Sequence, residues 1–286
     1  LTPEEGAIME RLAAAFQNCE KLQQHMRFLL AKGSLYKVYN GNLLYHGCIP
    51  LNKDGSFKEV DIYGRKYKGK PLYECLDSYV RKAFMAVDPV ERAKGRDICW
   101  YIWLHQDSPL FGKDKMATFE RYFLADKETH REEKNPYYCM LEDENTVGRI
   151  LEEFGLSPQE GHIVNGHVPV KSKDGESPIK CGGKLLVIDG GFSKAYQKET
   201  GIAGYTLIYN SYGLILAAHD PFESTEAAIE NESDIHSDSK MVKWVPERKC
   251  VGDTDIGREL KEKIKDLEKL LEAYYTGTIA EKFTVQ

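Results

Sequence analysis

Apolar residues recur at helical spacing through the start of the chain. Ile8, Leu12, Phe16, Cys19, Leu22, Met26 and Leu29 fall on one stripe of an amphipathic helix predicted over residues 2–32. Thr2 is a good N-cap, Pro3 suits the first helical position and Glu5 completes a capping box, while Gly33 is placed to end the helix. A strand-like pair follows. Residues 35–39 and 43–45 flank Asn40-Gly41, a dipeptide that favours the type I′ hairpin turn, and the second strand runs into His46-Gly47-Cys48-Ile49-Pro50. Residues 52–70 are polar and rich in Gly and Lys and read as a loop or small hairpin; residues 71–94 read as a helix. Residues 98–140 are aromatic-dense, with Trp100, Tyr101 and Trp103 expected in the core. Residues 146–155 form a helix ending at Gly155, and His162-Ile163-Val164-Asn165-Gly166-His167 is a short strand leading to a turn. Residues 184–188 read as a buried strand ending at Asp189-Gly190-Gly191, and residues 205–209 and 214–218 as a hairpin. Residues 220–240 are polar and acidic and read as an exposed loop. A last helix spans 255–275, with Ile256, Leu260, Ile264, Leu267, Leu271 and Tyr274 on one face.

Strands return between helices, so the predicted class is α/β, and the histidines sit where strands end, which is where open α/β sheets place ligands. The 286 residues suffice for one large domain or two small ones, and 42% hydrophobic content supports a sizeable core. The net charge of −6 offers no general attraction to nucleic acid or an anionic membrane, so neither is expected as a partner. No apolar run approaches a membrane span, and no secretory signal is visible. Seven widely spaced cysteines with no CxxC pair read as reduced thiols of a cytoplasmic protein.

Two histidines share a context. His46 follows an apolar strand and precedes a glycine; His167 follows an apolar strand and a glycine. Imidazole is a good ligand for manganese, iron or zinc, and a flanking glycine lets the backbone turn tightly beside an ion. A surface or hydrogen-bonded histidine is the commoner case for either alone. Two basic clusters are candidate anion sites: Lys113, Lys115 and Arg121 beside Tyr122, and Lys171, Lys173 and Lys180 after His167. The alternative for each is a solvated lysine face. Asp189 reads as a ligand or base, and as often as a turn-capping group. The glycines before Lys184 are followed by Leu185 where a P-loop needs Ser or Thr, and no Gly-x-Gly-x-x-Gly opens a helix, so nucleotide and dinucleotide folds are disfavoured.

Several long stretches resemble class III fructose-1,6-bisphosphatase, the bacterial type with a calcineurin-like metallophosphatase core. They are residues 39–50, residues 108–112 with 113–123, Asn165-Gly166-His167-Val168-Pro169-Val170, residues 184–197 with Ile188-Asp189-Gly190-Gly191-Phe192-Ser193-Lys194, residues 205–214 and the last helix. The resemblance implies the C-terminal half of a metallophosphatase-type β-sandwich flanked by helices, with a helical and loop insertion. In its terms residues 1–50 lead to the His-Gly metal loop, 51–160 form an insertion or cap, 161–220 carry the Gly-His loop, and 221–286 hold the acidic loop and last helix.

In such enzymes early loops supply Asp-x-His, Gly-Asp-x-x-Asp and Gly-Asn-His motifs, and late loops supply single histidines. His46 and His167 match the late pair; where some relatives place a further histidine, this chain has Pro169. No Gly-Asn-His occurs, and Gly252-Asp253-Thr254-Asp255 reads better as the cap of the last helix. The resemblance therefore implies that the remaining ligands lie in an N-terminal part of the same enzyme, in keeping with a chain that opens on Leu1. It implies two Mn2+ ions, fructose 1,6-bisphosphate as substrate, and Lys113, Lys115, Arg121, Tyr122 and Lys180 as candidates for its second phosphate. A homo-oligomer is compatible with it. On this reading the chain alone is expected to be inactive. Two rivals stay open: another metallophosphatase acting on phosphoproteins or dinucleoside polyphosphates, and a non-catalytic interaction module.

Overall fold

The computed structural model describes residues 1–189, 193–222, 224–232 and 236–280. Thr2 caps helix α1 (Pro3–Gln17) as its residue type predicts: its hydroxyl accepts from the Glu5 N–H, and the Glu5 carboxylate accepts from the Thr2 N–H at 2.7 Å. The single helix expected over 2–32 is two. Asn18 closes α1 outside helical geometry, extended Cys19 follows, and α2 runs Glu20–Lys32. Asparagine competes with the backbone for hydrogen bonds in a helix interior, which makes this a natural break. No residue of α1 is buried, so its stripe of Ile8, Leu12 and Phe16 stays exposed among the described residues.

Two units form by chain contacts: Leu1–Lys37 with Leu44–Leu141, and Val38–Leu43 with Glu142–Gln286. Strands β1 (Tyr36–Tyr39) and β2 (Asn42–Tyr45) turn at Asn40 and Gly41, whose φ of 49° and 78° are the left-handed pair a type I′ turn requires. In the first unit β3 (Val60–Ile62) and β4 (Arg65–Tyr67) form a second hairpin of this kind through Tyr63-Gly64. The helix expected over 71–94 is also two: α3 (Gly69–Met85) and α4 (Pro89–Leu104), separated where Ala86 turns extended and Asp88 caps the Val90 and Glu91 N–H groups. Val60, Ile62, Leu72, Leu76, Ile98 and Ile102 close one core between hairpin and helices. Gly95 lets α4 lie directly on α3, because a Cβ there would come within 2.6 Å of both Ala83 Cα and the Tyr79 carbonyl. Trp100 and Trp103 are exposed and stack edge-on at 5.3 Å, which corrects the core expectation; Tyr101 is half-buried and stacks on His105. The pair lies on the face of α4 opposite Ile98 and Ile102, so helical phase overrides aromatic character. Helix α5 (Thr118–Phe123) follows.

The second unit opens with α6 (Glu144–Glu153), capped by Asp143 and followed by Gly155 at φ 78°. Strands β5 (His162–Asn165), β6 (Ile179–Lys180) and β7 (Leu185–Val187) complete a five-stranded sheet of order β1-β2-β5-β7-β6, with β5 parallel to β7. Helix α7 (Lys194–Thr200) leads to a three-stranded antiparallel sheet of order β10-β9-β8, built from β8 (Gly204–Asn210), β9 (Gly213–His219) and β10 (Ser237–Trp244). The acidic loop expected over 220–240 therefore also holds α8 (Thr225–Glu230) and the start of β10, registered Ser237 to His219. This edge strand is mostly exposed, so it shows no apolar alternation. Helix α9 (Asp255–Tyr275) starts at the Thr254 cap, as the 252–255 run predicted. The architecture is mixed α/β, and no helix among the described residues is long and apolar enough to cross a membrane.

Candidate functional site

In the first unit His46 follows β2 directly and is exposed, while Gly47, Cys48, Ile49 and Pro50 behind it are buried. The run 108–112 is the seat of this loop. Buried Ser108 donates to the Ile102 carbonyl at 2.6 Å and accepts from the Leu110 N–H at 3.2 Å, fixing Pro109, whose carbonyl accepts the Cys48 N–H at 2.8 Å. A Cβ on Gly47 would collide with that same carbonyl, so the His-Gly pair has a steric reason. Four tyrosines back the loop. Tyr73 donates to the Cys48 carbonyl at 2.9 Å, and the buried hydroxyls of Tyr45 and Tyr137 meet at 2.7 Å. Gly112, at φ 65°, leaves room where a Cβ would lie 2.8 Å from the Tyr138 hydroxyl and 3.3 Å from Cys48 Sγ. Burial pushes the Cys48 thiol up to about 12, so it is an inert packing group and not a nucleophile.

In the second unit β5 and β7 run parallel, with Asn165 opposite Val187, so their following loops leave the sheet at the same edge. The Ile188 N–H donates to the Asn165 carbonyl at 2.9 Å and the Val170 N–H to the Asp189 carbonyl at 2.8 Å, which lace the two loops together. His167 and Asp189 thus occupy loops at the C-terminal ends of adjacent parallel strands, the usual ligand position in such sheets. His167 has a φ of 70°, and the Val168 N–H reaches back to the Gly166 carbonyl at 2.9 Å. That is a γ-turn of the rarer, strained hand with a histidine at its centre. Strained non-glycine residues cost of order 1–3 kcal/mol and cluster at functional sites. The glycines of Asp189-Gly190-Gly191, together with Phe192, lie outside the described residues.

Away from these loops His219 bridges Ser237 at 2.8 Å and Thr206 at 2.7 Å, and His130 Nε2 sits 3.0 Å from the Glu120 and Leu124 carbonyls. Among the described residues no three His, Cys, Asp or Glu side chains gather into a metal-holding group.

The basic residues divide differently in space than in sequence. Lys113 pairs with Glu132 at 2.8 Å, Arg121 reaches the same carboxylate at 3.6 Å, and Lys115 donates to the Thr129 carbonyl at 3.0 Å. Tyr122 is exposed. Lys113 also lines a cavity of about 250 Å3 with Lys53, Lys58 and Lys134, three residues that sequence reasoning passed over because they are distant along the chain. Lys180 lies between Glu176 at 3.5 Å and Glu142 at 3.9 Å, and Lys173 donates to the Lys198 carbonyl at 2.7 Å.

The family described as Firmicute fructose-1,6-bisphosphatase matches residues 1–276. A protein named fructose-1,6-bisphosphatase class 3 from Alkaliphilus metalliredigens is 58% identical over 285 residues, which is 99% of this chain and 43% of that protein. Proteins of the same name from Clostridium tetani (56% over 282 residues, 98% and 43%) and Clostridium botulinum (56% over 283 residues, 99% and 42%) are similarly related. The chain thus spans less than half the length of these curated relatives. No solved structure matches it.

Proposed function

We propose, for a chain that belongs to the Firmicute fructose-1,6-bisphosphatase family, that it contributes to hydrolysis of the 1-phosphate of fructose 1,6-bisphosphate, giving fructose 6-phosphate and phosphate in the cytoplasm for gluconeogenesis. The observation that carries the reading is His167 held at φ 70° in a γ-turn at the edge where parallel β5 and β7 end. A strained backbone at a strand end is kept where a side chain must be aimed.

The finer reading is a metallophosphatase in which His46 and His167 are each metal ligands, with manganese as the ion. The donors fit in kind, since both are imidazoles with a flanking glycine, and the His46 loop is seated firmly by Pro109 and Ser108. They do not fit in number: the described residues assemble no group of three ligands. Bound metal pairs supply a hydroxide nucleophile and neutralise phosphoryl oxygens. This chain's part is to aim two imidazoles and to present cations, with Lys113, Lys115, Arg121 and Lys180 as candidates for the sugar's second phosphate and Tyr122 beside them. Ligands beyond the two histidines come, on this reading, from a part of the enzyme outside the chain.

The test is phosphate release by the protein at the length at which the cell makes it, with Mn2+ and a panel of fructose 1,6-bisphosphate, phosphopeptide and dinucleoside polyphosphate. Preference for the sugar bisphosphate is expected, with most turnover lost in His46→Ala and His167→Ala while both stay folded. Preference for phosphopeptide, or normal turnover and metal content in both variants, overturns it.

A further inference from the structure

Helix α9 is 21 residues long, yet among the described residues Gly257 is the one member of it that is buried. Helices in proteins draw most of their stability from packing an amphipathic face. Such a face is present. Leu260, Ile264, Leu267, Leu271 and Tyr274 follow one another alternately four and three residues apart, and they are 40–63% exposed. That spacing is the 3.5-residue repeat of a coiled-coil seam, with Ile264 and Leu271 at the a positions and Leu260, Leu267 and Tyr274 at the d positions. Isoleucine at a with leucine at d favours two parallel strands.

The flanks of the seam specify what covers it. In a parallel pair each g position meets the e position five residues later on the other helix. Here g is Lys263 and e is Glu268, so a second copy in register sets opposite charges together, and the twofold makes the contact twice. The next such pair is apolar on both sides: Leu270 is 41% exposed and Tyr275 83%. In the single chain Lys263 pairs with Glu259 at 2.6 Å, an exposed contact of the kind that contributes little, so turning to a second copy loses little. An antiparallel pair suits the helix less well. It would set Tyr274 against Gly257, where a Cβ would already collide with the Val251 carbonyl. It would also call on Lys261, which donates to the Gly252 carbonyl at 2.8 Å.

We propose that the apolar face of α9 docks on the same face of a second copy of this chain, as a short parallel two-stranded coiled coil. Five layers span about 21 Å at 1.5 Å per residue, so the contact is brief and is best read by trapping it. The test uses the protein at the length at which the cell makes it, carrying Leu267→Cys under mild oxidation. Peptide mass spectrometry reads the disulfide joining position 267 of one copy to position 267 of another. Leu267 is 63% exposed, so the change leaves the single chain folded. Leu267→Cys is expected to link to itself, and Asp266→Cys, on the outer side of the seam, at least tenfold more slowly. Adding Lys263→Glu to Leu267→Cys makes both flanking pairs repulsive and is expected to slow the link at least tenfold. Adding Glu268→Lys as well exchanges the charges and is expected to restore the rate. Glu259 repels the new carboxylate in both cases, so restoration reads the contact between copies. A link at 267 no faster than at 266 overturns the proposal, and it is the result expected if another part of the enzyme covers α9. An unchanged rate with Lys263→Glu, or no recovery with the exchanged charges, overturns it too. The readout is a disulfide, so its failure leaves the hydrolysis proposal untouched, and the reverse holds too.

Discussion

Replacing His167 by glycine and by alanine separates the strain at this residue from its chemistry. Both changes remove the imidazole and everything it touches, so their difference reports the backbone alone. At φ 70° alanine keeps the left-handed penalty of roughly 1–2 kcal/mol, and glycine escapes it. Glycine also gives the unfolded chain more freedom, which costs about 0.4–1 kcal/mol. The balance leaves His167→Gly more stable than His167→Ala by about 0.5–1 kcal/mol, or about 2–4 °C per kcal/mol in a domain of this size. Urea unfolding and calorimetric melting of the two variants measure it, with phosphate release assayed in parallel. We expect both to have lost most turnover while the glycine variant is the more stable. A glycine variant equal to or less stable than the alanine one would show that the turn stores no strain. The inference from strain to function at this histidine would then fail.

Three further outcomes follow from the geometry. Gly95→Ala drives a methyl into the Ala83 backbone, so it should cost about 1–3 kcal/mol in chemical denaturation. His162 is buried and held near 4, below its usual 6.5; the unfolded chain binds the extra proton, so stability is present above 6.5 and is lost as pH falls toward 4, by about 3 kcal/mol in all. Urea midpoints across that range should show this slope, and His162→Gln should remove it. Tyr45→Phe leaves the buried Tyr137 hydroxyl without its 2.7 Å partner and should cost about 1–3 kcal/mol. A Tyr45→Phe/Tyr137→Phe double variant should cost less than the sum of the two singles.

Local chemistry was legible in the sequence wherever one residue type decides a backbone. Asn40-Gly41, the Thr2 capping box and the Thr254 cap of α9 were read from residue types and stand in the structure. What was illegible depends on phase and distance. An apolar stripe does not reveal that Asn18 and Cys19 divide it, and a polar edge strand such as β10 looks like a loop until β9 is beside it. For the candidate site, the His-Gly and Gly-His contexts marked the loops, and residues 108–112 were visible as a motif whose role as a seat for Cys48 was not. The φ of His167 has no signature, because histidine rarely takes it.

Phosphorus NMR of the protein at the length at which the cell makes it, with fructose 1,6-bisphosphate and Mn2+, tests the proposed hydrolysis most directly. The account predicts decay of the 1-phosphate resonance, growth of inorganic phosphate and retention of the 6-phosphate. Unchanged spectra with metal present, or loss of the 6-phosphate first, would contradict it.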